Sequence, residues 1–202
     1  MSKIKNIIFD YGAVLIDWNP HYVFDPYFGD VEKSTWFIEN ICNSQWNSTL
    51  DAGKPYDEGI RELTAEHPEW AREIQLYKDR WINMIGGQIE GMYELVSLLK
   101  SKGYGIYGLT NWASETFEQV RYKYPVFALM DGMAVSGEEH CLKPEARIFK
   151  ILFERYSLKP EECVFIDDNA DNIAGALAVG LNAIRFTGRE ALLESLKKEG
   201  II

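Results

Sequence analysis

Cysteine is scarce. Three residues, Cys42, Cys141 and Cys163, are odd in number and lack metal-ligand spacing, which excludes a disulfide-stapled scaffold and a Cys-based zinc site. They read as reduced thiols of a cytosolic protein, and a cytoplasmic location is expected. Positive charge is also short: 21 Lys and Arg stand against 31 Asp and Glu, a formal net charge of −10. That balance excludes nucleic acid and anionic membrane surfaces as partners. An anionic ligand would have to find its positive potential locally, in a cation, one lysine or backbone N–H groups. No run approaches the ~18 apolar residues of a membrane span. The first residues carry two lysines and only a short apolar run, so they read as a first strand and not a signal peptide. A P-loop is missing as well. One near miss, Gly103-Tyr104-Gly105-Ile106-Tyr107-Gly108, fits G-x-G-x-x-G but ends a helix and enters a strand, the reverse of the dinucleotide fingerprint.

What is present is a sizeable apolar fraction, 47% of 202 residues, enough for a buried core with a small accessory domain. A strand is expected at about 4–10. The next convincing one, at about 104–110, lies far beyond the ~30 residues of an ordinary βα unit. Helical spacing fills the gap: Val23, Tyr27 and Phe28; Trp36, Phe37 and Ile41; Ile60 and Leu63; then Trp70, Ile74, Tyr77, Trp81 and Met84. Residues 17–87 therefore read as a helical insertion, with 1–16 and 88–202 as the core. Gly86-Gly87 is the expected return hinge. Five of the six tryptophans, Trp18, Trp36, Trp46, Trp70 and Trp81, fall in the insertion; packing of a small helical core explains them better than ligand stacking. Beyond it, strands near 132–135, 163–166 and 182–186 alternate with helices at 114–122, 146–156, 170–179 and 192–198. Such alternation implies an α/β fold, a doubly wound parallel sheet with helices on both faces.

Four polar clusters punctuate this pattern. Asp10 closes the apolar run Asn6-Ile7-Ile8-Phe9 and is followed by Tyr11-Gly12, the look of a buried parallel strand at its carboxyl end, where open α/β sheets hold ligands. Thr110-Asn111 follow Leu109 at the start of a helix, where a hydroxyl and free N–H groups can cap the helix or hold phosphate oxygens. Lys143 precedes Pro144, a residue favoured in a first helical turn. A lysine at that end opposes the helix dipole, so it needs a partner. Asp167 and Asp168 end the apolar run Val164-Phe165-Ile166. If both acids lie near Asp10, each like-charge contact at ~4 Å costs about 4 kcal/mol at an effective dielectric of ~20. One lysine cannot offset that, whereas a divalent cation held by oxygens can.

In this order the clusters resemble the four signature motifs of the haloacid dehalogenase (HAD) superfamily. The resemblance implies Asp10 as a nucleophile that forms a covalent aspartyl intermediate. It implies Thr110 and Asn111 as phosphoryl contacts, and Lys143 as the partner of Asp10 and of the transferred phosphoryl group. It implies Mg²⁺ as cofactor, held by Asp10, the Gly12 carbonyl oxygen and Asp168, with Asp167 close by or through water. The paired acids favour a Mg²⁺-dependent phosphatase of a small phosphorylated metabolite, since the metal-free dehalogenases of the family lack them.

One position departs from the pattern. Most HAD phosphatases carry a second Asp two residues after the nucleophile as general acid and base, and Gly12 stands there. A subgroup with Asp-x-Gly, which includes bacterial glucose-1-phosphate phosphatases, is similar over the whole length, best at Phe9 to Trp18. Loss of proton transfer, typically worth 10²–10⁴-fold, would favour substrates with an acidic leaving group. Asp17 and His21 are nearby proton carriers, although surface positions at a helix entrance explain them better. Two other readings remain: a 2-haloacid dehalogenase-like hydrolase, whose halide needs no proton, and a catalytically weak binding protein.

Overall fold

The computed structural model of the chain describes residues 4–202. Its elements, in chain order, begin with β1 (Asn6–Phe9), whose Ile7, Ile8 and Phe9 are fully buried, as a strand covered on both faces must be. A short ribbon strand, β2 (Ile16–Trp18), then leads into five helices: α1 (His21–Phe28), α2 (Val31–Asn40), α3 (Ser44–Asp51), α4 (Tyr56–Glu66) and α5 (Ala71–Asp79). The chain returns along β3 (Ile85–Gln88), antiparallel to β2. There follow α6 (Met92–Ser101), β4 (Gly105–Thr110), α7 (Ser114–Phe117), β5 (Gly132–Val135), α8 (Ser136–Glu139) and α9 (Ala146–Tyr156). The last elements are β6 (Cys163–Asp167), α10 (Ala170–Ala178), β7 (Asn182–Arg185) and α11 (Arg189–Lys198).

Five strands form one parallel sheet in the order β5-β4-β1-β6-β7. The chain builds outward from β1 to one side through β4 and β5, then crosses to the other through β6 and β7. Strand order therefore reverses at β1, and the crevice at the carboxyl ends of β4, β1 and β6 is the place where such sheets bind ligands. Alternate residues feed the two faces. Ile7, Phe9, Ile106, Val164 and Ile166 join the larger apolar cluster, while Ile8, Leu109, Phe149 and Phe165 join the other. Each fully buried side chain of this size contributes about 1.5–3 kcal/mol.

The insertion has its own aromatic centre. Phe24 stacks near Phe28, Phe37 and Tyr77, and Trp70 packs on Phe28 and Phe37. Asp30 caps α2 by accepting from the Glu32 and Lys33 N–H groups, and Asn43 caps α3 through Trp46 N–H. The expected fourth helix ends earlier than its periodicity implies: α5 stops at Asp79, and a separate 3-10 turn holds Trp81–Met84. Helix α3 has no counterpart in the sequence reading, because only Trp46 and Leu50 mark its apolar face. Gly86 and Gly87 lie within β3 and not in a free hinge. A Cβ on Gly86 would fall 2.2 Å from Asp17 Oδ2, so the glycine serves close packing of the ribbon.

Elsewhere the helix expected over 114–122 is confined to Ser114–Phe117. A run of turns follows, and Tyr124, extended at φ −109° and ψ 127°, precedes Pro125, which opens a 3-10 turn. The glycines of the G-x-G-x-x-G stretch have structural uses. Gly103, at φ 90°, follows α6, and Gly108 lies so close to Tyr11 that a Cβ would meet its hydroxyl. The three cysteines are buried and unpaired. Among the described residues no helix is long and apolar enough to cross a membrane.

Candidate active site

The strand ends deliver the first three side chains. Asp10 directly follows β1, Thr110 is the last residue of β4, and Asp167 the last of β6. Lys143 comes from the loop between α8 and α9, and its side chain is buried among them. Its ammonium lies 2.8 Å from Asp10 Oδ1 and 2.7 Å from Asp167 Oδ2. Burial works against that charge, but Asp10 and Asp167 outweigh it and hold the lysine above its ordinary pKa. Helix α9 begins at Ala146, the start expected from the sequence, and Pro144 stands ahead of its first turn. Lys143 therefore meets no helix dipole, and the two acids are sufficient reason for its place.

Asp167 is fully buried and fully engaged. Besides Lys143, it accepts from Asn169 N–H at 2.8 Å and from Asn172 Nδ2 at 3.2 and 3.0 Å. Asp10 is different. Its Oδ1 accepts from Tyr11 N–H at 2.7 Å and faces Lys143, while among the described residues nothing is hydrogen-bonded to Oδ2. Burial pushes its carboxyl up to about 7; Lys143 opposes the rise and Asp167 adds to it. Asp168, half-buried, is also raised, by burial first and then by Asp167. Oxygens of Asp10, Asp167 and Asp168 all lie within 4.8 Å of one another, so the clustering expected from the sequence is present. Three carboxylates face one ammonium, and this all-oxygen group is suited to a hard divalent cation. A second feature points to a ligand: among the described residues the buried Thr110 Oγ1 has no hydrogen-bond partner, and a buried hydroxyl is rarely left so without one.

Asn111 does something the sequence did not suggest. Its Oδ1 accepts from Lys143 N–H at 2.8 Å and its Nδ2 donates to Lys143 O at 3.1 Å. That two-way clamp places the lysine's backbone, a role beside the phosphoryl contact expected from the sequence. Gly12 falls in the loop that leaves β1. Ala13 beside it has a left-handed φ of 57°, a conformation that costs a non-glycine residue about 1–2 kcal/mol. Such strain is often found at functional loops.

A cleft of about 110 Å³ opens above the strand ends, between sheet and insertion, with Gly12, Trp18, Asp51, Trp81, Asn111 and Trp112 among its walls. Two of the five tryptophans read as packing residues, Trp18 and Trp81, thus line it, joined by Trp112 of the core. Among the described residues the buried Trp112 Nε1 has no hydrogen-bond partner. Asp17 and His21 are occupied elsewhere: Asp17 Oδ2 accepts from Tyr22 OH at 2.6 Å, and His21 Nδ1 lies 2.8 Å from Asp25 Oδ1. The residue that the sequence reading missed is Asp51, at the end of α3. No local pattern marked it, because its helix was itself illegible.

The parallel sheet thus gathers an acid, a hydroxyl, a lysine and an acid pair at its switch point. The sequence profile of the haloacid dehalogenase-like hydrolases matches residues 4–180, and the chain belongs to that family. It is 26% identical over 198 residues to the sesquiterpene phosphatase astK of Aspergillus oryzae, covering 98% of this chain and 97% of that protein. The structure of a predicted HAD-like family hydrolase from Porphyromonas gingivalis superposes with a TM-score of 0.72 at 20% identity, over 97% of this chain and 99% of that one. A HAD family enzyme of Bacteroides thetaiotaomicron, in complex with magnesium and inorganic phosphate, gives 0.64 at 22% identity, over 92% and 96%. The protein is a hydrolase of this family.

Proposed function

We propose that the protein is a Mg²⁺-dependent phosphatase of a small phosphorylated metabolite, working through an aspartyl-phosphate on Asp10. The observation that carries this reading is the buried group in which Lys143 bridges Asp10 and Asp167, next to the unpartnered Thr110 hydroxyl. Asp10 and Asp168, with the Gly12 carbonyl oxygen, would hold the metal, which when bound supplies positive charge to the phosphoryl oxygens and to Asp10. Asp167 has its acceptor positions filled by Lys143, Asn169 and Asn172. It orients the lysine and would reach a bound metal through water.

The remaining work belongs to side chains. Lys143 holds Asp10 in place through Oδ1 and neutralises the transferred group, leaving Oδ2 for attack at phosphorus. Thr110 donates its free hydroxyl to a phosphoryl oxygen. Asn111 fixes the height of the lysine loop. The helical insertion covers the site, excludes water and supplies the walls that select the alcohol. The tryptophans of the cleft, with the free Trp112 N–H, suit an alcohol with apolar bulk and one acceptor, and the likeness to a sesquiterpene phosphatase points the same way. Glucose 1-phosphate, suggested by the Asp-x-Gly resemblance, is the polar candidate to set against it.

The test is hydrolysis of p-nitrophenyl phosphate with and without Mg²⁺, followed by a panel holding glucose 1-phosphate and terpenyl phosphates. Metal-dependent turnover abolished in Asp10→Asn is expected. Metal-independent chloride release from 2-chloropropionate would instead make the protein a dehalogenase, and neither activity would make it a binding protein.

A further inference from the structure

The loop after β1 offers no acid. A side-chain carbon at Gly12 would meet nothing within 4 Å, so the place beside the nucleophile is open space facing the cleft. A proton for the leaving alcohol must come across that space. Asp51 borders the same cleft from the insertion. It is held there by contacts on two sides. Asn47 Nδ2 donates to Asp51 Oδ2 at 2.9 Å, and Asn47 is itself fixed by Tyr77 OH, which donates to Asn47 Oδ1 at 2.9 Å. On the core side, Ser136 Oγ donates to the Asp51 carbonyl at 2.6 Å and accepts from Trp112 N–H at 2.8 Å. Although it sits on the insertion, the residue is thus tied to the ends of β4 and β5. The other proton carriers of the region, Asp17 and His21, are engaged away from the cleft.

We propose that Asp51 is the acid and base of the hydrolysis, acting from the insertion in place of the absent side chain at position 12. This rests on the phosphatase reading above. In the first step Asp10 forms a bond to phosphorus as the bond from phosphorus to the leaving oxygen breaks, and the Asp51 proton passes to that oxygen to release the neutral alcohol. In the second step water attacks phosphorus and gives a proton to the Asp51 carboxylate. The phosphorus–Asp10 bond breaks, phosphate leaves, and both acids return to their starting states.

The surroundings of Asp51 suit that duty. Burial pushes its carboxyl up to about 7, against the Ala113 N–H and Lys143, which favour the charged form. An acid poised near working pH is the effective kind for proton transfer. The other charged or titratable groups packed around it are Tyr56 of α4, Tyr77 of α5, Cys42 ahead of α3, Glu115 of α7 and His140 against Gly53. Burial holds both tyrosines and Cys42 neutral.

The experiment compares kcat/KM of wild type and Asp51→Asn, both loaded with Mg²⁺, on p-nitrophenyl phosphate, phenyl phosphate and an alkyl phosphate. The expected result is a loss of roughly 10²–10⁴-fold on the alkyl ester, shrinking to within about threefold on p-nitrophenyl phosphate, whose leaving group needs no proton. Asp51→Glu should recover part of the alkyl activity. An equal loss on all three esters, or no loss on any, overturns the proposal. A measurement on wild type stands even if the variant fails to fold. The alkyl kcat/KM should fall as pH rises past about 7 while the p-nitrophenyl value does not follow it; parallel profiles overturn the proposal. Should wild type fail to hydrolyse p-nitrophenyl phosphate with Mg²⁺, the phosphatase reading falls and takes this inference with it. Should it hydrolyse that ester while Asp51→Asn behaves as wild type on the alkyl one, the inference falls alone.

Discussion

The sheet edge and the helical insertion solve opposite problems with different materials. At the edge, charges are packed so tightly that each fixes the next. Asn111 clamps the Lys143 backbone, Lys143 bridges Asp10 and Asp167, and Asn172 and Asn169 saturate Asp167. The insertion is held by aromatic packing around Phe24, Phe37 and Tyr77, which is non-directional and tolerant of change. On the proposed function, the chemistry common to every substrate would sit where geometry is over-determined, and recognition of the alcohol where the packing can be rebuilt without disturbing the charges.

The sharpest way to separate the two regions is to remove the nucleophile. Asp10→Asn should lower kcat by about 10⁴-fold or more, in line with deletions of other catalytic nucleophiles, while leaving the melting temperature unchanged or higher, since one buried negative charge disappears. Steady-state kinetics beside thermal melts would check this, and residual activity within tenfold of wild type would break the division. Next in size, Lys143→Met strands Asp10 and Asp167 without a counter-charge. It should cost about 3–5 kcal/mol in denaturant unfolding at pH 8 without metal, as well as activity. In the insertion, Phe24→Ala should cost a similar ~3–5 kcal/mol as a core cavity. There, though, kcat on p-nitrophenyl phosphate should stay within about threefold at a temperature where the variant is folded. If kcat collapses with the cavity, the insertion is not the independent partner described here.

A smaller effect follows from pH. Asp10 and Asp51 are each pushed up to about 7, against about 3.9 for an unfolded Asp. Between those values the folded protein binds protons that the unfolded chain has released, so the stability these groups contribute falls as pH rises through about 7. Without metal, the melting temperature should be lower at pH 8 than at pH 5.5. Mg²⁺, which favours charged Asp10, should raise it more at pH 8. A metal effect equal at both pH values would count against a cation shared with Asp10. Smallest of all, Asp17→Asn and His21→Gln should change activity by less than about twofold, since both side chains are bonded outside the cleft; a larger drop would reassign the proton to them.

Much of the sheet edge was legible because strands announce themselves. Ile7-Ile8-Phe9 and Val164-Phe165-Ile166 are unbroken apolar runs that end in an acid, and burial on both faces leaves such a run no other use. The helices of the insertion were read less well. Periodicity found α2 and α4, but α3 carries two apolar residues in eight and passed unseen. Gly86 and Gly87, read from the sequence as a return hinge, lie in the ribbon strand β3, where close approach at Gly86 calls for the same residue as flexibility does. Asn111 was read as a substrate contact; what its neighbours in sequence could not reveal is the clamp on Lys143, 32 residues away.

By itself, then, the order of residues determined the parallel sheet, the positions of Asp10, Thr110, Lys143 and the Asp167-Asp168 pair, and the departure at Gly12. Those are local facts, written in alternation, strand ends and turns. Only the tertiary structure decided that Oδ2 of Asp10 is left unbonded, that Asn111 serves the lysine, and that Asp51 reaches the cleft where Gly12 leaves room. Each depends on groups brought together from distant parts of the chain, and the burial that raises an acid's pKa exists only once those parts have met.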